Sequence, residues 1–302
     1  MLNSNLTVLK PNDSVDAILK KANLGWEVVQ RDLFAEFEGK KVNAGRKALM
    51  RADTGDVLTV TGPNWKPIQN RAMVEFFKTF ADEGGATIES VRTLRGGRGL
   101  FATLDIKADF ELDGHDKVKG LIGIASFHQV GNATTMMSMS SRLVCENQLE
   151  NFFKKSDAKY RQNHLSEFDF QAARDTVTAA KETLMKFAAE AKALKKFKMS
   201  EIEVLKLFAS HFVKEEGLHL EGLVNRMQNE EREQPLPVRQ LMHSYAKAPG
   251  ASPGDAWGAL NAVTHWADHV AGTSADARFN RATFGANARL KQAVKAELLE
   301  MV

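Results

Sequence analysis

One cysteine in 302 residues, Cys145, excludes an internal disulfide and any cysteine-built zinc cluster, and it fits a reducing compartment. No apolar run approaches the roughly eighteen residues that a membrane-spanning helix needs. Residues 1–21 lack the charged start and apolar stretch of a secretory signal, so the expected address is the cytoplasm, with no membrane partner. Charge of one sign is also in short supply: 41 Lys and Arg against 38 Asp and Glu leave a net charge of +3. A protein that coats nucleic acid through a global positive field carries more, so any polyanion site has to be a local patch. Phosphate loops of the Gly-x-x-x-x-Gly-Lys type, the Gly-x-Ser-x-Gly elbow and the Gly-x-Gly-x-x-Gly turn at a strand end are all missing. ATPase, hydrolase and dinucleotide chemistry therefore lose their usual sequence support. Solenoid repeats and low-complexity tracts are missing too.

What remains is an ordinary globular composition, 43% hydrophobic and 26% charged, at a length that suits one large domain or two ordinary ones. The stretch from Gly120 to Phe153 joins two differently patterned halves. Ile122, Ile124 and Phe127 belong to an apolar run punctuated by Gly120 and Gly123, and Gly131-Asn132 is a turn signal. Alternation through Met137 and Met139 continues the sheet period. After Ser140 and Ser141 the spacing of Cys145, Leu149, Phe152 and Phe153 changes to that of an amphipathic helix.

In the first half, Ser14–Ala22 predicts a short helix and Trp26–Phe37 a strand. Arg46–Arg51 and Val57–Thr61 flank the hairpin signal Asp53-Thr54-Gly55-Asp56. Asn70 is placed to cap a helix whose Met73, Phe76, Phe77 and Phe80 form one stripe, closed by Gly84-Gly85. A second hairpin, Ile88–Leu94 with Leu100–Ile106, surrounds Arg95-Gly96-Gly97-Arg98-Gly99. In the second half, Val177, Ala180, Leu184, Phe187, Ala191 and Leu194 mark a long helix. Ser200 with Glu203 makes a capping box, 229–237 and 248–254 read as linkers, and 255–270 and 286–299 as closing helices. The expected class is α+β: an antiparallel sheet of roughly six to eight strands with an embedded helix over residues 1–140, then a helical domain over 141–302.

Arg92, Arg95 and Arg98 around three glycines put guanidinium groups and open backbone amides at one hairpin, chemistry that suits phosphate. Lys40, Lys41, Arg46, Lys47 and Arg51 on or beside the first hairpin extend such a surface, and Arg142, Lys154, Lys155, Lys159, Arg161 and His164 supply a second basic segment, diluted by Glu146, Glu150 and Asp157. Trp26, Trp65, Phe101 and Phe127 are the available base platforms, although rings at such positions more often fill a core. His265 and His269 stand one helical turn apart around Asp268, but Trp266 takes the place of a zinc protease's glutamate and no third ligand is evident, so helix packing is the preferred reading. Asp113, His115 and Asp116 read first as a turn. Cys145 on an apolar stripe reads as a buried, inert thiol. No cofactor, metal or catalytic residue is expected.

Leu24-Gly25-Trp26-Glu27-Val28, Trp65-Lys66-Pro67-Ile68-Gln69-Asn70, Gly96-Gly97-Arg98, Ser141 to Asn147, His164, and Trp257 to Thr264 followed by His269 together resemble a family of phage and plasmid proteins called domain of unknown function 932. The resemblance implies a phage or mobile-element origin and brings no settled activity. The order hairpin, helix, further antiparallel strands with a basic glycine-rich turn also looks like the core of phage single-strand annealing proteins, a likeness of fold alone. The resulting expectation is a non-enzymatic protein that binds single-stranded DNA through Lys and Arg, self-associates as a ring or filament, and leaves bases free to pair. The alternative is an assembly or host-interaction protein whose helical half is a docking surface. An enzyme built on the histidine pair stands third.

Overall fold

The computed structural model describes residues 7–10, 12–112, 114, 116–129, 134–142, 148–151, 161–162, 170–214 and 216–302. The described strands and helices run β1 Thr7–Val8, α1 Val15–Lys21, β2 Val28–Phe37, β3 Lys40–Arg51, β4 Val57–Thr61, α2 Asn70–Gly84, β5 Thr87–Leu94, β6 Gly99–Asp105, β7 Phe110–Leu112, β8 Asp116–Phe127, β9 Thr134–Arg142, β10 Gln148–Asn151 and β11 Arg161–Gln162. Helices follow: α3 Phe170–Lys196, α4 Glu201–Ser210, α5 Gly217–Asn229, α6 Leu236–Lys247, α7 Ala256–His265, α8 Ala275–Phe284 and α9 Ala286–Glu300. Antiparallel strands with an embedded helix precede a helical second half, so the class is α+β as the sequence predicts.

The chain forms two compact units that interleave in sequence. One comprises 1–108, 120–139 and 152–183; the other comprises 109–119, 140–151 and 184–302. The strands form two sheets rather than one. An eight-stranded sheet has the order β1-β5-β6-β8-β9-β10, with β11 on β9 and β7 on β8, and a separate three-stranded sheet has the order β2-β3-β4.

In the first unit, β6 is buried along its whole length, and its neighbours β5 and β8 contribute Val91, Leu94, Ile122 and Ile124, all fully buried. Two glycines permit this packing. A methyl group on Gly99 would stand 2.6 Å from Phe127, and one on Gly123 would stand 2.5 Å from the Met139 sulfur. Helix α2 buries Met73, Phe76, Phe77 and Phe80, the stripe read from the sequence, each worth about 1.5–3 kcal/mol relative to exposure. Gly85 closes it in the left-handed conformation, φ 63°. Gln69, not Asn70, occupies the N-cap position, and no side chain caps there. The Asn70 side chain instead holds the loop before β2, where it sets the geometry of the candidate site.

In the second unit, one core takes Phe187 and Leu194 from α3, Leu205 and Phe208 from α4, Leu241 from α6, and Trp257, Leu260 and Val263 from α7. Ser200 and Glu203 form the predicted capping box on α4. Asp255 caps α7 and forms an ion pair with Lys195 at 2.9 Å. Helix α7 runs on into a π-helical turn, Trp266–Val270. The helical spacing read across 145–153 fails where the chain is described: Gln148–Asn151 is strand β10. Cys145, Phe152 and Phe153, the Gly131-Asn132 turn, Asp113 and His115 lie outside the described residues. Helices α5, α6 and α8 have no counterpart among the elements expected from the sequence, and parts of α5 and α6 fall in its expected linker at 229–237.

Candidate nucleic-acid interface

The turn between β5 and β6 is the centre of the site. Arg95–Gly97 makes a single 3-10 turn in which Arg95, Gly96 and Gly97 all have positive φ, at 51°, 68° and 90°. Two consecutive glycines make this left-handed path accessible. Arg98 follows, exposed, and its carbonyl accepts a hydrogen bond from the His128 backbone N–H at 2.8 Å. Its guanidinium has no ion-pair partner among the described residues.

Gly97 also makes room for a second guanidinium. A methyl group there would stand 3.1 Å from Nη1 of Arg51, the last residue of β3. Arg51 lies 4.4 Å over the ring of Trp26 and donates two hydrogen bonds to Asp53, through Nε at 3.0 Å and Nη2 at 2.7 Å. Those bonds hold the Asp53 carboxyl below its ordinary pKa and raise that of Arg51. Arg95 lies 4.9 Å over Phe127 and donates to Oε1 of Gln129 at 3.1 Å. Two guanidinium groups from separate hairpins, those of Arg51 and Arg95, are thus seated on aromatic faces, Arg51 within reach of Gly97, and the exposed Arg98 follows that glycine in sequence.

A buried polar hub fixes the floor. Asn70, 1% exposed, donates through Nδ2 to the carbonyls of Leu24 and Trp26, both at 3.2 Å, and its Oδ1 is 2.9 Å from Nε2 of His128. His128 in turn meets Trp26 edge-on at 5.6 Å. Next to Asn70, the Gln69 amide makes a two-way clasp with the backbone N–H and carbonyl of Val28, both at 2.9 Å. Segments 24–28, 65–70 and 96–98, far apart in the chain, meet here.

The remaining basic residues singled out from the sequence are scattered. Arg92 is only 6% exposed, inside β5 opposite Phe101, and belongs to the sheet interior rather than the open turn. Lys47 forms an ion pair with Asp32 at 2.6 Å. Lys40, Lys41 and Arg46 are exposed on β3 without ion pairs among the described residues. Lys40 is eleven residues from Arg51 along β3, about 35 Å at the rise of a strand, so these lysines do not join the Arg98 cluster. Arg142 ends β9 and Arg161 begins β11. Lys154, Lys155, Lys159 and His164 lie outside the described residues. Of the four rings considered as base platforms, Trp26, Phe101 and Phe127 are buried, and Trp65 packs against the small core of Trp26, Val28, Leu49 and Leu58. Sequence reasoning missed Asn70 and His128 as organisers. The only available signal was a polar residue at the start of an apolar helix, which reads as a cap.

In the second unit, the His265 and His269 rings are 5.1 Å apart, and Nδ1 of His265 hydrogen-bonds with Ser244 Oγ at 3.0 Å. Burial, then the neighbouring His269 and His243, pushes His265 down to about 4. Among the described residues no group of three or more metal-ligating side chains converges, and no helix is long and apolar enough to cross a membrane.

No curated protein and no solved structure matches this chain. A family model does match, over residues 57–294, which takes in the second hairpin, its arginine turn, Asn70, His128 and most of the helical half but leaves out Trp26 and Arg51. On that match the chain belongs to the family described as domain of unknown function DUF932.

Proposed function

We propose that the protein binds single-stranded nucleic acid through its phosphates at the Arg51–Arg95–Arg98 cluster and acts, without a catalytic centre, as an annealing protein of a phage or mobile element. The observation that carries this reading is the approach of Arg51 on one hairpin to Gly97 in the turn of another, a turn flanked in sequence by Arg95 and the exposed Arg98. Arginine forks suit phosphate oxygens. Buried rings make contact through the backbone the favoured mode: Trp26 and Phe127 already carry guanidinium groups and offer little surface to a base. A strand gripped by its phosphates keeps its bases available for a complementary strand. Self-association, with several subunits side by side along one strand, is part of the proposal.

The test is fluorescence anisotropy of a labelled oligonucleotide at low salt, followed by an annealing assay with its complement. Arg95→Ala and Arg98→Ala should each weaken binding and flatten its salt dependence, because every phosphate that the protein no longer neutralises takes about 0.7 off the slope of log K against log salt for single strands. Absence of affinity at low salt, with a stable complex formed with another protein, would favour the assembly reading instead.

A further inference from the structure

Strands β2 and β3 continue past the three-stranded sheet as a two-stranded arm. Strand β4 pairs only with Lys47–Met50 of β3, whereas β2 and β3 pair on through Phe34↔Asn43, Ala35↔Val42, Glu36↔Lys41 and Phe37↔Lys40. Glu38 and Gly39, with φ of 49° and 74°, close the arm in a two-residue turn. Opposite Leu33, β3 bulges through Ala44, Gly45 and Arg46, with the Asn43 side chain accepting from the Gly45 N–H at 2.8 Å. Beyond that bulge both edges of the ribbon are unpaired among the described residues. Phe34, Phe37 and Val42 are 53%, 69% and 51% exposed. A lone two-stranded ribbon is marginally stable in water, and open strand edges are templates for pairing.

The two strands are oppositely charged. From Lys40 to Lys47, β3 carries four cations and no acid; β2 and its turn carry Asp32, Glu36 and Glu38 against Arg31. Two-fold pairing of β2 with β2 would set acids against acids, and β3 with β3 would set lysines against lysines, both destabilising across a strand pair. Unlike edges attract. We propose that the arm is the self-association element of this protein: the basic outer edge of β3, residues 40–46, receives the acidic β2 of a second copy. Such a contact is heterologous, because each copy offers one edge and accepts the other, and it propagates into a ring or an open filament. Same-face neighbours across the new strand pair would also cover part of Phe37 and Val42, which are exposed in a single chain. The inference rests on the self-association within the proposed function, not on its nucleic-acid contact, and it assigns Lys40, Lys41 and Arg46 to the protein interface.

The experiment is sedimentation velocity of the full chain over a range of concentrations, at about 0.05 and about 0.5 M salt. The native chain should sediment as assemblies that shift toward monomer at the higher salt. Lys40→Glu with Lys41→Glu makes both edges acidic, and Glu36→Lys with Glu38→Lys makes both basic; each double variant alone should be monomeric. An equimolar mixture of the two should assemble again, because each then presents the edge that the other lacks. Variants that assemble as the native chain does would overturn the arm as the interface while leaving self-association intact. A native chain that is monomeric throughout would remove self-association itself. Unchanged mass with weakened oligonucleotide binding in the lysine variant would overturn the inference in favour of a nucleic-acid contact on the arm.

Discussion

Replacing Asn70 by leucine, nearly the same shape without the amide, tests how the candidate site is held. Its side chain is buried and serves three partners: the Leu24 and Trp26 carbonyls and the His128 ring. Each hydrogen bond contributes about 1 kcal/mol net, and a buried group stripped of its partner costs about 1–3 kcal/mol. Three partners sharing one donor–acceptor group therefore put the loss at roughly 2–4 kcal/mol, allowing for partial relaxation of the loop. Arg71→Ala is the control on the same helix: its ion pairs to Asp16 and Glu75 are solvent-exposed, so their loss should leave stability nearly unchanged. Urea unfolding followed by tryptophan fluorescence should show an early loss of the first unit in Asn70→Leu and almost none in Arg71→Ala. Trp26 and the Arg98 carbonyl both depend on this hub, so oligonucleotide affinity should fall in Asn70→Leu even under conditions where the variant remains folded. A stability loss below about 1 kcal/mol with unaltered affinity would refute the idea that Asn70 organises the site.

Three other outcomes follow from the second unit. Gly258→Ala should be strongly destabilising, beyond the usual ~1–3 kcal/mol of overpacking, because its methyl group would stand 1.9 Å from the Ser252 carbonyl oxygen; thermal melts check this. Lys291, whose side chain is fully buried, pairs with Asp268 at 3.2 Å. Lys291→Met alone should cost about 3–5 kcal/mol, and adding Asp268→Leu should recover part of it, read as the coupling term of a double-mutant cycle. His265, depressed to about 4, favours the neutral ring in the folded state, so its contribution is fully present above about pH 6.5 and is lost as pH falls from there toward 4. Solvent screening of this half-buried ring brings the effect to the order of 1 kcal/mol. Urea melts at pH 7.5 and 5 should show that difference narrowed in His265→Gln.

Local pattern is informative wherever one face of an element meets a core. The stripe of α2, the capping box of Ser200 and the hairpin around Arg95–Gly99 are all readable because periodicity and turn chemistry are short-range. The helix read across 145–153 failed at β10, which holds only Leu149 of that apolar stripe and takes its strand form from pairing in the larger sheet, a tertiary influence that local spacing does not register. Splitting of the strands into two sheets was not legible, since both hairpins carry equivalent local signals and sheet membership is set by tertiary pairing. At the site, the arginine turn was visible as composition, but its convergence with Arg51 was not. That convergence depends on the φ of Gly97 and on a guanidinium about forty-five residues earlier in the chain. Arg92 shows the converse: a cation in sequence register with Arg95 and Arg98 that β5 turns into the sheet.

The most direct measurement of the central claim is the affinity of the full chain for a labelled single-stranded oligonucleotide as salt is raised, compared with the Arg95→Ala/Arg98→Ala double variant. Binding at low salt should weaken steeply as salt increases, and the double variant should show lower affinity and a shallower slope. Identical curves for the two proteins, or no binding by either at low salt, would contradict it.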